Sequence, residues 1–147
     1  MVQDSGVLDP NSAYLYLLLC RDFVQTCLVA ESRDSESILG FVTGYRLPAR
    51  PDTLFVWQIG VAQEARRQGV AVRLLHELVR RCRANGLTYI ESTIDPNNEP
   101  SRRLFQSLAT DLEAAFVEQP EEGFSADDFP PGDHAPEPRV RIGPLGS

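Results

Sequence analysis

The sequence contains no lysine: all fourteen of its basic side chains are arginine. That absence removes Schiff-base chemistry and the phosphate-gripping lysine of a P-loop in one step. Cysteine is scarce as well. Cys20, Cys27 and Cys82 are odd in number and lack CxxC spacing, so they point to neither a disulfide framework nor a zinc site and read as reduced thiols; no metal is expected. No run approaches the roughly 18 apolar residues of a membrane span. The opening MVQDSGVLDP lacks the basic end and apolar run of a secretion signal, so the expected location is the cytoplasm. Positive charge is also in deficit, with a formal net charge of −7. Nucleic acid is therefore disfavoured as a partner, because neutralising phosphates takes a basic surplus. Small cationic molecules fit better.

What is present suffices for one domain over residues 1–147, with 42% hydrophobic residues to fill a core. A helix is expected to open near Asn11 or Ser12, both good caps. Its sequence, AYLYLLLCRDF, is apolar enough that it should pack against a sheet. TCLVAE and SILGFVTGYRL read as strands, RLPARPD as a break, and TLFVWQIGVA as a central strand apolar on both faces. Gly60 sits where a bulge or a close ligand approach needs a missing side chain. Ala71, Leu74, Leu75, Leu78, Val79 and Cys82 then recur at helical spacing, with His76 on the polar face, and Gly86 closes that helix. LTYIESTI is a further strand and DPNNEPSRRLFQSLATDL a second amphipathic helix. AAFVEQ and PRVRIG look like strands flanking a long acidic, proline-rich loop. Strands alternating with helices give an α/β layer architecture with a mixed sheet.

Between the central strand and its helix lies ARRQGVA. A strand-to-helix turn gathers unpaired backbone N–H groups and the positive end of the helix dipole at one place. Gly69 lets a bulky phosphate approach, Ala71 leaves room in the first helical turn, and Arg66 and Arg67 can add charge-assisted hydrogen bonds. The spacing is neither a P-loop nor GxGxxG.

On these residues the chain resembles the GNAT acetyltransferase superfamily. IGVAQEARRQGVA resembles its acetyl-CoA signature, with Ile59, Val61, Arg66, Gly69 and Ala71 on the motif's positions and Gln63 in place of the frequent proline; NEPSRRLF resembles its later motif, with Asn98, Ser101 and Leu104 in place. The resemblance implies a GNAT-like acyl-CoA N-acyltransferase fold, a central mixed β-sheet flanked by helices. That fold usually begins with a strand, and this chain starts close to the first helix, so the first strand is expected to be lacking. It also implies acetyl-CoA as co-substrate. The pyrophosphate would lie on the N–H groups of Arg67, Gln68, Gly69, Val70 and Ala71, with Arg66 beside it. The pantetheine arm would run along Ile59 to Val61, where the Val61 N–H would hold the thioester carbonyl, and Asn98 would orient the arm. Superfamily members often carry a tyrosine as general acid where this chain has Phe105, which cannot donate a proton.

LDPNSAYLYLLLCRDF, VTGYRLPARPDTLFVWQ, ESTIDPNNEPSRRLF and HAPEPRVRIG further resemble the L-2,4-diaminobutyrate acetyltransferases of ectoine biosynthesis. That family implies acetylation of the 4-amino group of the diamine, and a homodimer. Matched onto this chain it suggests Asp9, Tyr14 and Trp57 for the substrate, with Glu137 as general base and His134 as its neighbour or relay. A base is needed because an amine with a reference pKa near 10 is almost wholly protonated at neutral pH. Glu91, in an otherwise apolar strand, reads equally as a pocket carboxylate or a strand-end charge. Acetylation of another small amine or polyamine, and a non-catalytic acyl-CoA-sensing role, remain open.

Overall fold

The computed structural model of the chain describes residues 12–130 and 134–146. The first element among the described residues is α1 (Ala13–Asp22), capped by Ser12, whose Oγ accepts from the Leu15 N–H at 3.3 Å. No strand precedes it among the described residues. The expectation that this apolar helix packs closely on the sheet holds for one stripe alone: Leu19 is buried, while Tyr14 and Leu17 are 69% and 67% exposed. A helix apolar all round has more greasy surface than one sheet contact can cover.

Two antiparallel strands follow, β1 (Leu28–Glu31) and β2 (Ile38–Leu47), and then β3 (Arg50–Val61). The expected break at RLPARPD shrinks to a tight hairpin, because Leu47 already pairs with Arg50. Helix α2 (Val70–Arg83) comes next, then β4 (Tyr89–Thr93), α3 (Glu99–Asp111), β5 (Phe116–Phe124) and β6 (Glu137–Ile142). The strands form one mixed sheet in the order β1-β2-β3-β4-β6-β5, with β3 and β4 parallel and the other neighbours antiparallel. The tail is more ordered than its proline content suggests. β5 runs through Pro120 to Phe124, which a sheet edge tolerates, and Glu137 is the first residue of β6.

One face of the sheet presents Val42, Leu54, Val56, Ile90, Val140 and Ile142 to Leu74, Leu75 and Leu78 of α2 and to Phe105 and Leu108 of α3. Fully burying each such side chain contributes about 1.5–3 kcal/mol. Val70, rather than the anticipated Ala71, opens the buried stripe of α2, and Gly86 takes the left-handed conformation (φ 73°) beyond its end. The bulge in β3 also falls elsewhere than at Gly60. Thr43 pairs with Gln58 and Gly44 with Val56, so the extra residue is Trp57. No helix among the described residues is long and apolar enough to cross a membrane.

Candidate active site

β3 and β4 stay together for three residue pairs, from Thr53–Tyr89 to Phe55–Glu91. A last link follows, the Ser92 hydroxyl donating to the Val56 carbonyl at 2.9 Å. Beyond it β3 runs on to Val61, and its β4-facing edge has no strand partner among the described residues. The direction of the amides on that edge follows from alternation. Ala62 N–H donates to Leu39 O on the β2 side at 2.9 Å, so the N–H groups of Val61 and Ile59 point the other way, into the opening. A strand edge with unpaired donors can receive an extended amide-bearing chain as if it were another strand.

At the end of β3 the chain makes a short 3₁₀ turn (Gln63–Ala65) and enters the loop before α2. Arg67 (φ 63°) and Gly69 (φ 73°) both adopt left-handed conformations, which curl the loop over the helix start. The first backbone bond into α2 is Arg73 N–H to Gly69 O. The N–H groups of Arg67, Gln68, Gly69, Val70 and Ala71 meet no backbone acceptor among the described residues. Five donors at the positive end of a helix dipole form an anion cradle. Arg66 and Arg67 are exposed beside it. Arg73, on the polar face of α2, grips the Gln68 carbonyl through Nη1 at 2.9 Å and so braces the loop.

The other end of the opening leads to a cleft of about 330 Å³. It brings together Trp57 and Ile59 from β3, Asn98 from the head of α3, and His134 and Glu137 from the approach to β6. Asn98 caps α3 through Oδ1, accepting from Ser101 N–H at 3.2 Å. Bulged Trp57 remains 37% exposed. His134 lies against Phe129, and its Nδ1 is 2.9 Å from the carbonyl of Ala135. Phe105, only 2% exposed, also lines the cleft and offers no proton. Tyr45, Phe129 and Arg139 line it too and were not singled out in the sequence, since aromatic and basic residues in strands and loops have many plain uses.

Two of the expected substrate residues, Tyr14 and Glu91, are placed otherwise. Asp9 lies outside the described residues. Tyr14 projects from α1 and does not line the cleft; Tyr16, two positions on, donates its hydroxyl to Gln58 Oε1 at 3.0 Å instead. Glu91 is neither a pocket carboxylate nor a strand-end charge. It is fully buried and held by Arg50 (2.7 and 2.9 Å), Arg139 (2.9 Å) and Arg141 (2.9 Å). Both its oxygens are spoken for, which leaves no lone pair aimed at a ligand. His76, as expected, is on the surface, 3.0 Å from Asp111 of α3.

The model of the acetyltransferase (GNAT) family matches residues 4–109. L-2,4-diaminobutyric acid acetyltransferase from Streptomyces coelicolor is 46% identical, over 100% of this chain and 85% of the relative. The enzyme of that name from Halalkalibacterium halodurans is 42% identical, over 97% and 73%. Among solved structures, diaminobutyrate acetyltransferase EctA from Paenibacillus lautus, in complex with its substrate L-2,4-diaminobutyric acid and coenzyme A, superposes with a TM-score of 0.91 at 40% identity, covering 99% of this chain and 86% of that one. Ard1 from Thermoplasma volcanium shares the fold at a TM-score of 0.71 and 15% identity, covering 97% and 86%.

Proposed function

The chain belongs to the acetyltransferase (GNAT) family, and we propose that it transfers the acetyl group of acetyl-CoA to the 4-amino group of L-2,4-diaminobutyrate. The product, N4-acetyl-L-2,4-diaminobutyrate, leads to the osmoprotectant ectoine. The observation that carries this reading is the continuous path from the anion cradle at Arg67–Ala71, along the open edge of β3, to the cleft holding Trp57, His134 and Glu137.

In this reading the residues divide the work. The cradle and Arg66 hold the pyrophosphate of the co-substrate, and Ile59, Val61 and Asn98 hold its arm. Acetyl-CoA supplies the activated acyl group. The Val61 N–H points into the opening, where a donor stabilises an oxygen that gains charge during amine attack. Glu137 takes a proton from the substrate ammonium, with His134 beside it, so that the free amine attacks the thioester carbonyl; the C–S bond then breaks and CoA leaves as the thiolate. Trp57 supplies an aromatic surface suited to a cationic substrate. Phe105 keeps that part of the cleft dry and takes no part in proton transfer.

The reading extends to a single catalytic domain over residues 1–147, a cytoplasmic location consistent with three free cysteines, and a homodimer. Val24, Val29 and Ile38 are exposed and line an apolar hollow of about 730 Å³ between α1 and the β1–β2 edge, and Tyr14 and Leu17 are exposed on α1, a surface that association would cover. Thiol release from acetyl-CoA across a panel of amines tests the substrate assignment. Diaminobutyrate should outrun polyamines and peptide N-termini, and release with another amine alone would refute it.

A further inference from the structure

A base alone does not select diaminobutyrate, which carries a carboxylate besides its two amines. Among the described residues lining the cleft, Arg139 is the only guanidinium. Its other attachments show what remains available. Glu91 is served by three arginines, of which Arg50 alone reaches both oxygens, at 2.7 and 2.9 Å. Three guanidiniums around one carboxylate leave this cluster with an excess of two positive charges, although the side chains of Arg139 and Arg141 are only 17% and 22% exposed. Aromatic faces take up part of that excess, with the Arg141 Cζ 3.7 Å from the centre of the Tyr89 ring and the Arg139 Cζ 5.7 Å from that of Phe55. Yet no second carboxylate is paired with the three guanidiniums among the described residues, and positive charge held away from water favours an incoming anion.

The donors of Arg139 can be assigned one by one. Nη1 donates to Glu91 Oε2 at 2.9 Å. Nε is buried without an acceptor among the described residues, and so is Gln119 Oε1 without a donor. Gln119 is the ladder partner of Arg139, so the two unpaired atoms belong to neighbouring side chains across β5 and β6. Nη2 donates to nothing among the described residues and, with the second N–H of Nη1, is left for the cleft. Glu137 lies two positions earlier on β6, so both side chains leave the same strand face with roots about 6–7 Å apart. An acid and a guanidinium so spaced suit the reacting ammonium and the carboxylate of one small amino acid.

We propose that Arg139 is the specificity-determining residue of the amine site: Nη2 binds the substrate α-carboxylate while Glu91, through Nη1, holds the guanidinium in position. This rests on the diaminobutyrate reading above and adds the group that recognises the acid. The stability of a variant should be little affected, because Glu91 keeps Arg50 and Arg141 when Arg139 is replaced.

The test compares diaminobutyrate with 1,3-diaminopropane, which has the same amine spacing and no carboxylate, for the wild type, Arg139→Met and Arg139→Lys. The wild type should favour diaminobutyrate in kcat/KM. Arg139→Met should lose about 100-fold on diaminobutyrate, in line with truncating one partner of a desolvated charge pair. Its rate on 1,3-diaminopropane should stay within about twofold of wild type. Arg139→Lys, which keeps a cation without the fork, should recover part of the loss. Equal losses on both amines would overturn the proposal by showing a structural role, and so would a wild type indifferent to the carboxylate. A wild type that binds CoA yet acetylates neither amine defeats the enzyme reading itself, and the proposal with it.

Discussion

His134 lies flat on Phe129, with ring centroids 4.1 Å apart and planes inclined by 15°. The stack fixes the imidazole at the mouth of the cleft that Glu137 also lines. A base that must take a proton from an ammonium has to be in place before the amine arrives. Glu137→Ala should therefore lower kcat/KM for diaminobutyrate at least about tenfold, a floor below the roughly 100- to 10,000-fold usual for general acid–base catalysis. Acetyl-CoA affinity should stay near that of the wild type. Steady-state kinetics with each substrate varied in turn checks this, and an unchanged rate removes Glu137 from the mechanism.

Gly69 holds the cradle open at φ 73°, a conformation that side-chain-bearing residues adopt at a cost. Gly69→Asp combines that strain with a negative charge beside the place where a pyrophosphate would sit. CoA binding measured by calorimetry should disappear while the fold persists. Normal binding would show that the loop is not the phosphate site.

Glu91 is the reverse case, a charge whose importance lies in the fold. Its removal leaves Arg50, Arg139 and Arg141 facing one another with no carboxylate between them. Breaking a buried pair in this way costs about 3–5 kcal/mol. Glu91→Ala should therefore lower the thermal midpoint by roughly 10 °C or more, and a midpoint within about 2 °C of wild type would contradict the hub.

The three thiols should separate in reactivity. Burial pushes the Cys82 and Cys27 thiols up, which depletes the thiolate, whereas Cys20 is exposed on α1. A maleimide should label Cys20 in native protein at least about tenfold faster than the other two. Mass spectrometry of timed quenches would reveal the order.

Much of the frame is legible in the residues themselves. The periodicity of α2 and α3, the strength of β3 and the turn of unbonded N–H groups before α2 all follow from spacing and from Gly69, because those are local properties. The misses are non-local. Glu91 looks like a free carboxylate until register sets it against Phe55 on one side and Arg141 on the other. Arg139 and Arg141 alternate with Val140, as solvent-facing charges in a strand would, and the ladder alone shows that they converge on Glu91. The bulge at Trp57 likewise depends on the partner strand β2 and has no signal in β3. Tyr14 misleads because an apolar helix does not announce which stripe meets the sheet.

The central claim is acetyl transfer to one nitrogen of one diamine. Its most direct test is incubation of the protein with acetyl-CoA and L-2,4-diaminobutyrate, followed by NMR of the product. The acetyl group should be found on N4 alone, with stoichiometric release of CoA thiol. Acetylation at N2, or no transfer by a protein that still binds CoA, would contradict it.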